Sequence, residues 1–223
     1  MAILKQLSTL KNVLKPKSIR QQQYVDVLSK NNPSIVIATG APGSGKTLFA
    51  AHIGAHKLKT GEVNKIIITR PTISVGSDNL GFLPGTLTKK LEPWMRPVND
   101  ALLYYYKKTV IDQMIDDGTI ELASLAHLRG RTFDKSWIIC DEAQNTTVDQ
   151  MLMMLTRIGK DSKMVITGDP MQHDRSLHTN GLSDLLYRLQ NTHTNQKSFE
   201  IIEFDGSDVQ RHPAIPVILE LYK

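Results

Sequence analysis

The chain of 223 residues predicts an α/β fold: one parallel β-sheet with helices on both faces, in a single domain. Two observations carry this. Short runs suited to strands, at Ile35–Ala38, Lys65–Thr69, Ser136–Cys140, Lys163–Thr167 and Phe199–Phe204, alternate with longer stretches of helical spacing. Several runs are apolar at nearly every position, as suits a strand buried on both sides. A chain of this length normally makes one domain, and its 40% hydrophobic and 22% charged residues are ordinary for a globular protein. No apolar run is long enough to cross a bilayer, and the N-terminal stretch lacks the apolar core of a signal peptide. The single Cys140 allows no internal disulfide, which suits a reducing, cytoplasmic setting.

Taken in order, residues 1–17 form a basic extension. Lys5, Lys11, Lys15, Lys17 and Arg20 precede the first acid, Asp26, and without them basic and acidic residues are equal in number. The net charge of +5 therefore comes from this end. Such an arm is either an attractor for nucleic acid or a solvated helical extension. Ser18 is a good N-cap for a helix over 18–29, and Asn31-Asn32-Pro33 breaks it. A helix is expected over 48–58. Residues 72–97 are rich in Gly and Pro, with short helices expected over 87–94 and 98–108, the latter continuing through 109–117. Thr119–Leu122 follows as a strand, and 129–132 as a basic turn. Further helices are expected over 148–158, 180–190 and 214–222. The domain proper is expected over 18–223.

The chemically specific stretch is Gly40-Ala41-Pro42-Gly43-Ser44-Gly45-Lys46-Thr47. It matches G-x-x-x-x-G-K-[ST] and lies between a strand and a helix. Glycines let backbone N–H groups curl around phosphate oxygens. Lys46 adds a charge at the β- and γ-phosphates, and the Thr47 hydroxyl completes a magnesium shell. The phosphates would sit at a helix N-terminus, where free N–H groups and the dipole favour an anion. This reads as a nucleoside triphosphate site.

Two other strands end in acidic residues, and parallel strands deliver those ends to one edge of the sheet. Asp141 is placed to hold Mg2+ and Glu142 to polarise an attacking water. Glu142 favours hydrolysis over transfer to a small molecule. In Thr167-Gly168-Asp169-Pro170-Met171-Gln172, Gln172 can reach the γ-phosphate, although by pattern alone it is equally an idle loop residue.

Eight blocks, TGAPGSGKT, IIITRP, LGFLPG, RGRTF, IICDEAQNTT, LTRIG, VITGDPMQ and DVQRHP, occur in the order found in PhoH-like ATPases. The chain resembles that family from about Ser18 to Lys223. The family in turn is similar to the first RecA-like domain of superfamily-one helicases. The resemblance implies ATP as the nucleotide, Mg2+ as its cofactor and Gln172 as γ-phosphate sensor. It implies Gln21 and Tyr24 as an adenine-side motif and Arg211 as the arginine reaching the γ-phosphate, with Arg157 the second choice. It further implies single-stranded RNA or DNA as partner, with Thr69, Arg70, Arg129 and Arg131 facing the phosphodiester backbone. A single such unit moves along a strand only with a neighbouring subunit. A homo-oligomeric ring, hexameric, is therefore expected, with the arginine acting in trans. The alternative is a nucleotide-switched assembly module that moves no nucleic acid.

His52 and His56 lie four apart on one helix, but no acidic partner or third ligand accompanies them, so they are not read as a metal site. Cys140 and the cluster Met151, Met153 and Met154 are read as core. Tyr104, Tyr105 and Tyr106 cannot all face one way on a helix.

Overall fold

Successive residues of a strand face opposite sides of a sheet, so continuous apolar runs need cover on both faces. A computed structural model, which describes residues 14–71, 96–172, 180–192, 197–210 and 221, supplies that cover. Its order is α1 (Ile19–Ser29), β1 (Ile35–Gly40), α2 (Lys46–Lys59), β2 (Lys65–Thr69), α3 (Arg96–Leu103), α4 (Lys108–Asp116) and β3 (Ile120–Leu122). Then come α5 (Leu125–Leu128), β4 (Ser136–Cys140), α6 (Val148–Leu155), β5 (Lys163–Gly168), α7 (Gly181–Asn191) and β6 (Phe199–Phe204). The strands form one sheet in the order β3-β2-β4-β5-β1-β6, every pairing parallel.

The two faces separate by residue parity. Val36, Ala38, Ile66, Ile68, Trp137, Ile139 and Val165 pack with α1, α2, α3 and α4. Ile35, Ile37, Ile67, Ile138, Cys140, Met164 and Ile166 pack with α5, α6 and α7. Cys140 and the pair Met151 and Met154 are buried among the second set, as core residues. Trp137 fixes how closely α2 approaches the sheet. Its wholly buried indole donates to the Ala50 carbonyl at 3.0 Å. The ring occupies the space a Cβ on Gly54 would need, so only glycine fits at that turn of α2.

Most elements fall where the sequence predicts. Ser18 caps α1 by accepting from the Gln21 N–H, and Asn180 caps α7. Two helices differ. The helix expected to run on from 98 through 117 is two, because Tyr105 and Tyr106 both donate to the Leu102 carbonyl and the chain then extends at Lys107. The break turns the Tyr105 hydroxyl to within 2.9 Å of His52 Nε2. The helix expected to reach Ile158 stops at Leu155, where the Thr156 hydroxyl lies within donating distance of the Leu152 and Met153 carbonyls. The helices expected over 87–94 and 214–222 lie outside the described residues, apart from Leu221.

His52 and His56 are both buried, between α2 and the Tyr104–Tyr105 turn. Burial, with His56 nearby, lowers the His52 pKa from 6.5 to about 4. His56 is lowered too, chiefly by burial, with Glu62 opposing and Lys57 adding. Since the folded state rejects a proton that the unfolded chain accepts, stability is full above 6.5 and is lost as pH falls from there toward 4. The urea midpoint should therefore drop between pH 7 and pH 5, and drop less in His52→Gln. Equal pH dependence in parent and variant would remove His52 as the cause.

Candidate nucleotide site

The loop between β1 and α2 turns through positive φ at Gly40, Gly43 and Gly45. At Gly40 the reason is also steric, since a Cβ there would overlap the Phe204 carbonyl on β6. The loop is held from within and beneath. Ser44 Oγ donates to the Ala41 carbonyl at 3.0 Å, and Lys46 Nζ to the Gly40 and Ala41 carbonyls at 2.6 and 2.9 Å. Gln21, buried under it, donates to the Ser44 carbonyl at 3.0 Å and accepts from the Lys17 N–H at 2.7 Å. The Gln210 N–H donates to the Gly43 carbonyl. The Tyr24 hydroxyl donates to the Lys46 carbonyl at 3.2 Å while its ring meets Phe204 edge-on.

β4 and β5 bring their ends to the same edge. Cys140 is level with Ile166, so Asp141 comes level with Thr167. Asp141 Oδ1 accepts two hydroxyls, from Thr47 at 2.7 Å and from Thr167 at 2.5 Å. Glu142 has a left-handed backbone, φ 55° and ψ 43°, a costly conformation for a residue with a side chain. Its carboxylate accepts from Gln144 Nε2 at 2.6 Å and pairs with Arg70 Nη2 at 3.4 Å. The other end of the Gln144 amide accepts the Asp169 N–H at 3.2 Å. Gln172 donates its backbone N–H to the Asp169 carbonyl. Lys46, Thr47, Asp141, Glu142, Gln172 and Arg70 all line one cleft of about 550 Å³, with Gln21, Pro42, Gly43 and Gly45 at its loop side and exposed Lys15 and Lys17 at its margin.

The donors fit Mg2+. A hydroxyl and a carboxylate converge within 2.7 Å beside the phosphate loop. Both are hard oxygen ligands, and Mg2+ in phosphate sites characteristically takes one or two carboxylates and leaves the rest to water and phosphate.

A profile of the family described as PhoH-like protein matches residues 13–223. The chain belongs to the PhoH-like family. The PhoH-like protein of Bacillus subtilis (strain 168) is 41% identical over 209 residues, covering 94% of this chain and 64% of that protein. That of Mycobacterium tuberculosis (strain ATCC 25618 / H37Rv) is 40% identical over 220 residues, 97% of this chain and 60% of its own length. Protein PhoH of Escherichia coli (strain K12) is 36% identical over 191 residues, 84% and 52% respectively. The chain thus spans less than two thirds of the length of these relatives.

Not every residue singled out in this PhoH-like sequence lies at the cleft. Tyr24 is fully buried and reaches the loop only from beneath, because its ring is needed against Phe204. The Thr69 side chain is buried, and its hydroxyl has no hydrogen-bond partner among the described residues. Arg129 is exposed on the turn after α5. Arg131 forks onto Glu121 of edge strand β3 and lies over the Phe133 ring. That bidentate contact, with Lys65 adding, holds the Glu121 carboxyl down to about 2. Arg157 is committed to the Met153 and Arg131 carbonyls and the Thr156 hydroxyl. Arg211 lies outside the described residues. In the other direction, Gln144 and Thr167 join the site without having been singled out, and Asp169, read only as an acidic strand end, supplies the N–H that holds Gln144. Their sequence signal was adjacency to Glu142 and a place at the end of the strand before Gln172.

Alanine at Gly40 and at Gly118 separates backbone strain from steric overlap, since both have positive φ but only Gly40 faces another chain segment. Gly118→Ala should cost about 1 kcal/mol, and Gly40→Ala clearly more by equilibrium unfolding. Equal costs would mean that the approach of β6 to the loop is not tight.

Proposed function

We propose that this PhoH-like chain is a Mg2+-dependent ATP hydrolase whose turnover is coupled to single-stranded RNA or DNA and which works as a homo-oligomeric ring, a hexamer. The reading is carried by one observation: the loop lysine, the Thr47–Asp141 pair, Glu142 and Gln172 share a single cleft at the C-terminal edge of β1, β5 and β4. Three chain segments contribute, each with a different chemical part.

In this reading the loop N–H groups and Lys46 bind the β- and γ-phosphates, and the carbonyl contacts that Lys46 now makes are exchanged for phosphate oxygens. Thr47 and Asp141 hold Mg2+, which when bound spreads the charge developing on the phosphates. Glu142 accepts a proton from water as the oxygen attacks the γ-phosphorus in line, and ADP leaves with the bridging oxygen. Gln172 orients that water. Gln21 keeps the loop in shape from below. Coupling to a polynucleotide is supported by the cations at the cleft margin, Lys15, Lys17 and Arg70. Arg211, in cis or from a neighbour in the ring, is assigned the γ-phosphate contact. Arg157 could take that role only by giving up its carbonyl partners.

Lys46→Ala should abolish ATP turnover. Glu142→Gln should still bind ATP by equilibrium dialysis while kcat falls by about 10²- to 10⁴-fold, the range for losing a general base. Turnover at the parent rate in Glu142→Gln would defeat the assignment. Stimulation by single-stranded RNA or DNA should weaken as salt is raised, since backbone contacts release counterions. Hydrolysis indifferent to polynucleotide, with ATP-dependent oligomerisation, would instead favour the assembly module.

A further inference from the structure

Arg70, at the margin of the cleft, forms an ion pair with the proposed base. The arrangement is set by backbone. Asp141 donates its N–H to the Thr69 carbonyl at 2.9 Å, so the ends of β2 and β4 are tied together one residue before Arg70 and Glu142. Pro71 follows and is buried, and a residue before proline is held extended. Arg70 therefore projects from a stiff strand end.

The two oxygens of Glu142 are gripped unequally. Oε2 takes a short bond of 2.6 Å from Gln144, whose own carbonyl oxygen is anchored on the Asp169 N–H. Oε1 faces the Arg70 guanidinium at 3.4 Å, longer than a tight charge-assisted contact, and both side chains are more than a third exposed. One grip is fixed and the other is exchangeable. A half-exposed pair of this length is weak. A phosphodiester oxygen pair matches the planar guanidinium fork better than a carboxylate oxygen at 3.4 Å does. Exposed Lys15 and Lys17 line the same cleft and would draw such a backbone toward Arg70.

We propose that Arg70 is a positioning residue that restrains Glu142, and that a polynucleotide phosphate taking the Arg70 guanidinium frees Glu142 to reach the attacking water. The inference rests on the ATPase reading above and deepens it by naming the contact through which nucleic acid regulates turnover. Gln144 remains attached throughout, so the carboxylate swings about a held point and is not lost from the site.

The test compares the full chain with Arg70→Ala, Arg70→Lys and the double variant Arg70→Ala/Glu142→Gln, with and without poly(U) or oligo(dT). Without polynucleotide, Arg70→Ala should raise kcat by about two- to fivefold, the size of restraint a half-exposed ion pair can supply. KM for ATP should stay unchanged, and added poly(U) or oligo(dT) should no longer accelerate turnover. Arg70→Lys should return kcat toward the parent value, and the double variant should show no gain, placing the effect on Glu142. Unchanged thermal melting of Arg70→Ala separates this from loosening of the fold. A fall in kcat or a rise in KM would overturn the inference, because Arg70 would then be serving the nucleotide's own phosphates. Undiminished stimulation of Arg70→Ala would overturn it alone. A parent that turns over no ATP, or ignores polynucleotide, would defeat the functional reading and this inference together.

Discussion

The site depends on one carboxylate oxygen. Asp141 Oδ1 accepts a hydroxyl from Thr47 at the head of α2 and another from Thr167 on β5, while its own backbone N–H is given to Thr69 on β2. Four segments far apart in the chain are fixed at that point. The parallel register makes the convergence possible. Cys140 beside Ile166 and Thr39 beside Gly168 put the ends of β4, β5 and β1 at one height. A slip of one residue by β4 against β5 would turn Asp141 to the other face of the sheet.

The rest of the molecule holds this edge steady. Helices on both faces bury the alternating residues of the strands, and α1 does more than cover the sheet, since Gln21 and Tyr24 brace the phosphate loop from below. The C-terminal end of α1 is secured at the opposite edge of the sheet. There Lys163, buried, donates to the Val27 and Lys30 carbonyls, a favourable place for a cation. Burial, with Lys57 and Lys30 nearby, lowers its pKa to about 7. Fixing a helix at both ends keeps its two bracing side chains in register with the loop.

What was legible in the sequence follows from distance along the chain. The phosphate loop, its strand and its helix are contiguous, and spacing alone exposes them. Asp141 and Glu142 are legible because they end an apolar run. Thr167 and Gln144 matter only through cross-strand register and a backward turn after Glu142, which no local pattern encodes. The break at Tyr104–Lys107 was hidden because helical spacing continues through it, and the partner that rewards the turn, His52, lies on another helix. Arg131 looked like a free cation in a basic turn. Its carboxylate partner sits ten residues back on an edge strand, and only the folded chain brings the two together.

The proposed function requires one triphosphate to be gripped where β1, β5 and β4 end. The most direct measurement is a crystal structure of the chain with Mg2+ and a non-hydrolysable ATP analogue. The triphosphate should lie between Lys46 and the Asp141–Glu142 pair, with the Gln172 amide facing the γ-phosphate. A triphosphate seated instead in the cavity of about 540 Å³ at the opposite edge, among Lys30, Lys57, Lys135 and Lys163, would contradict it.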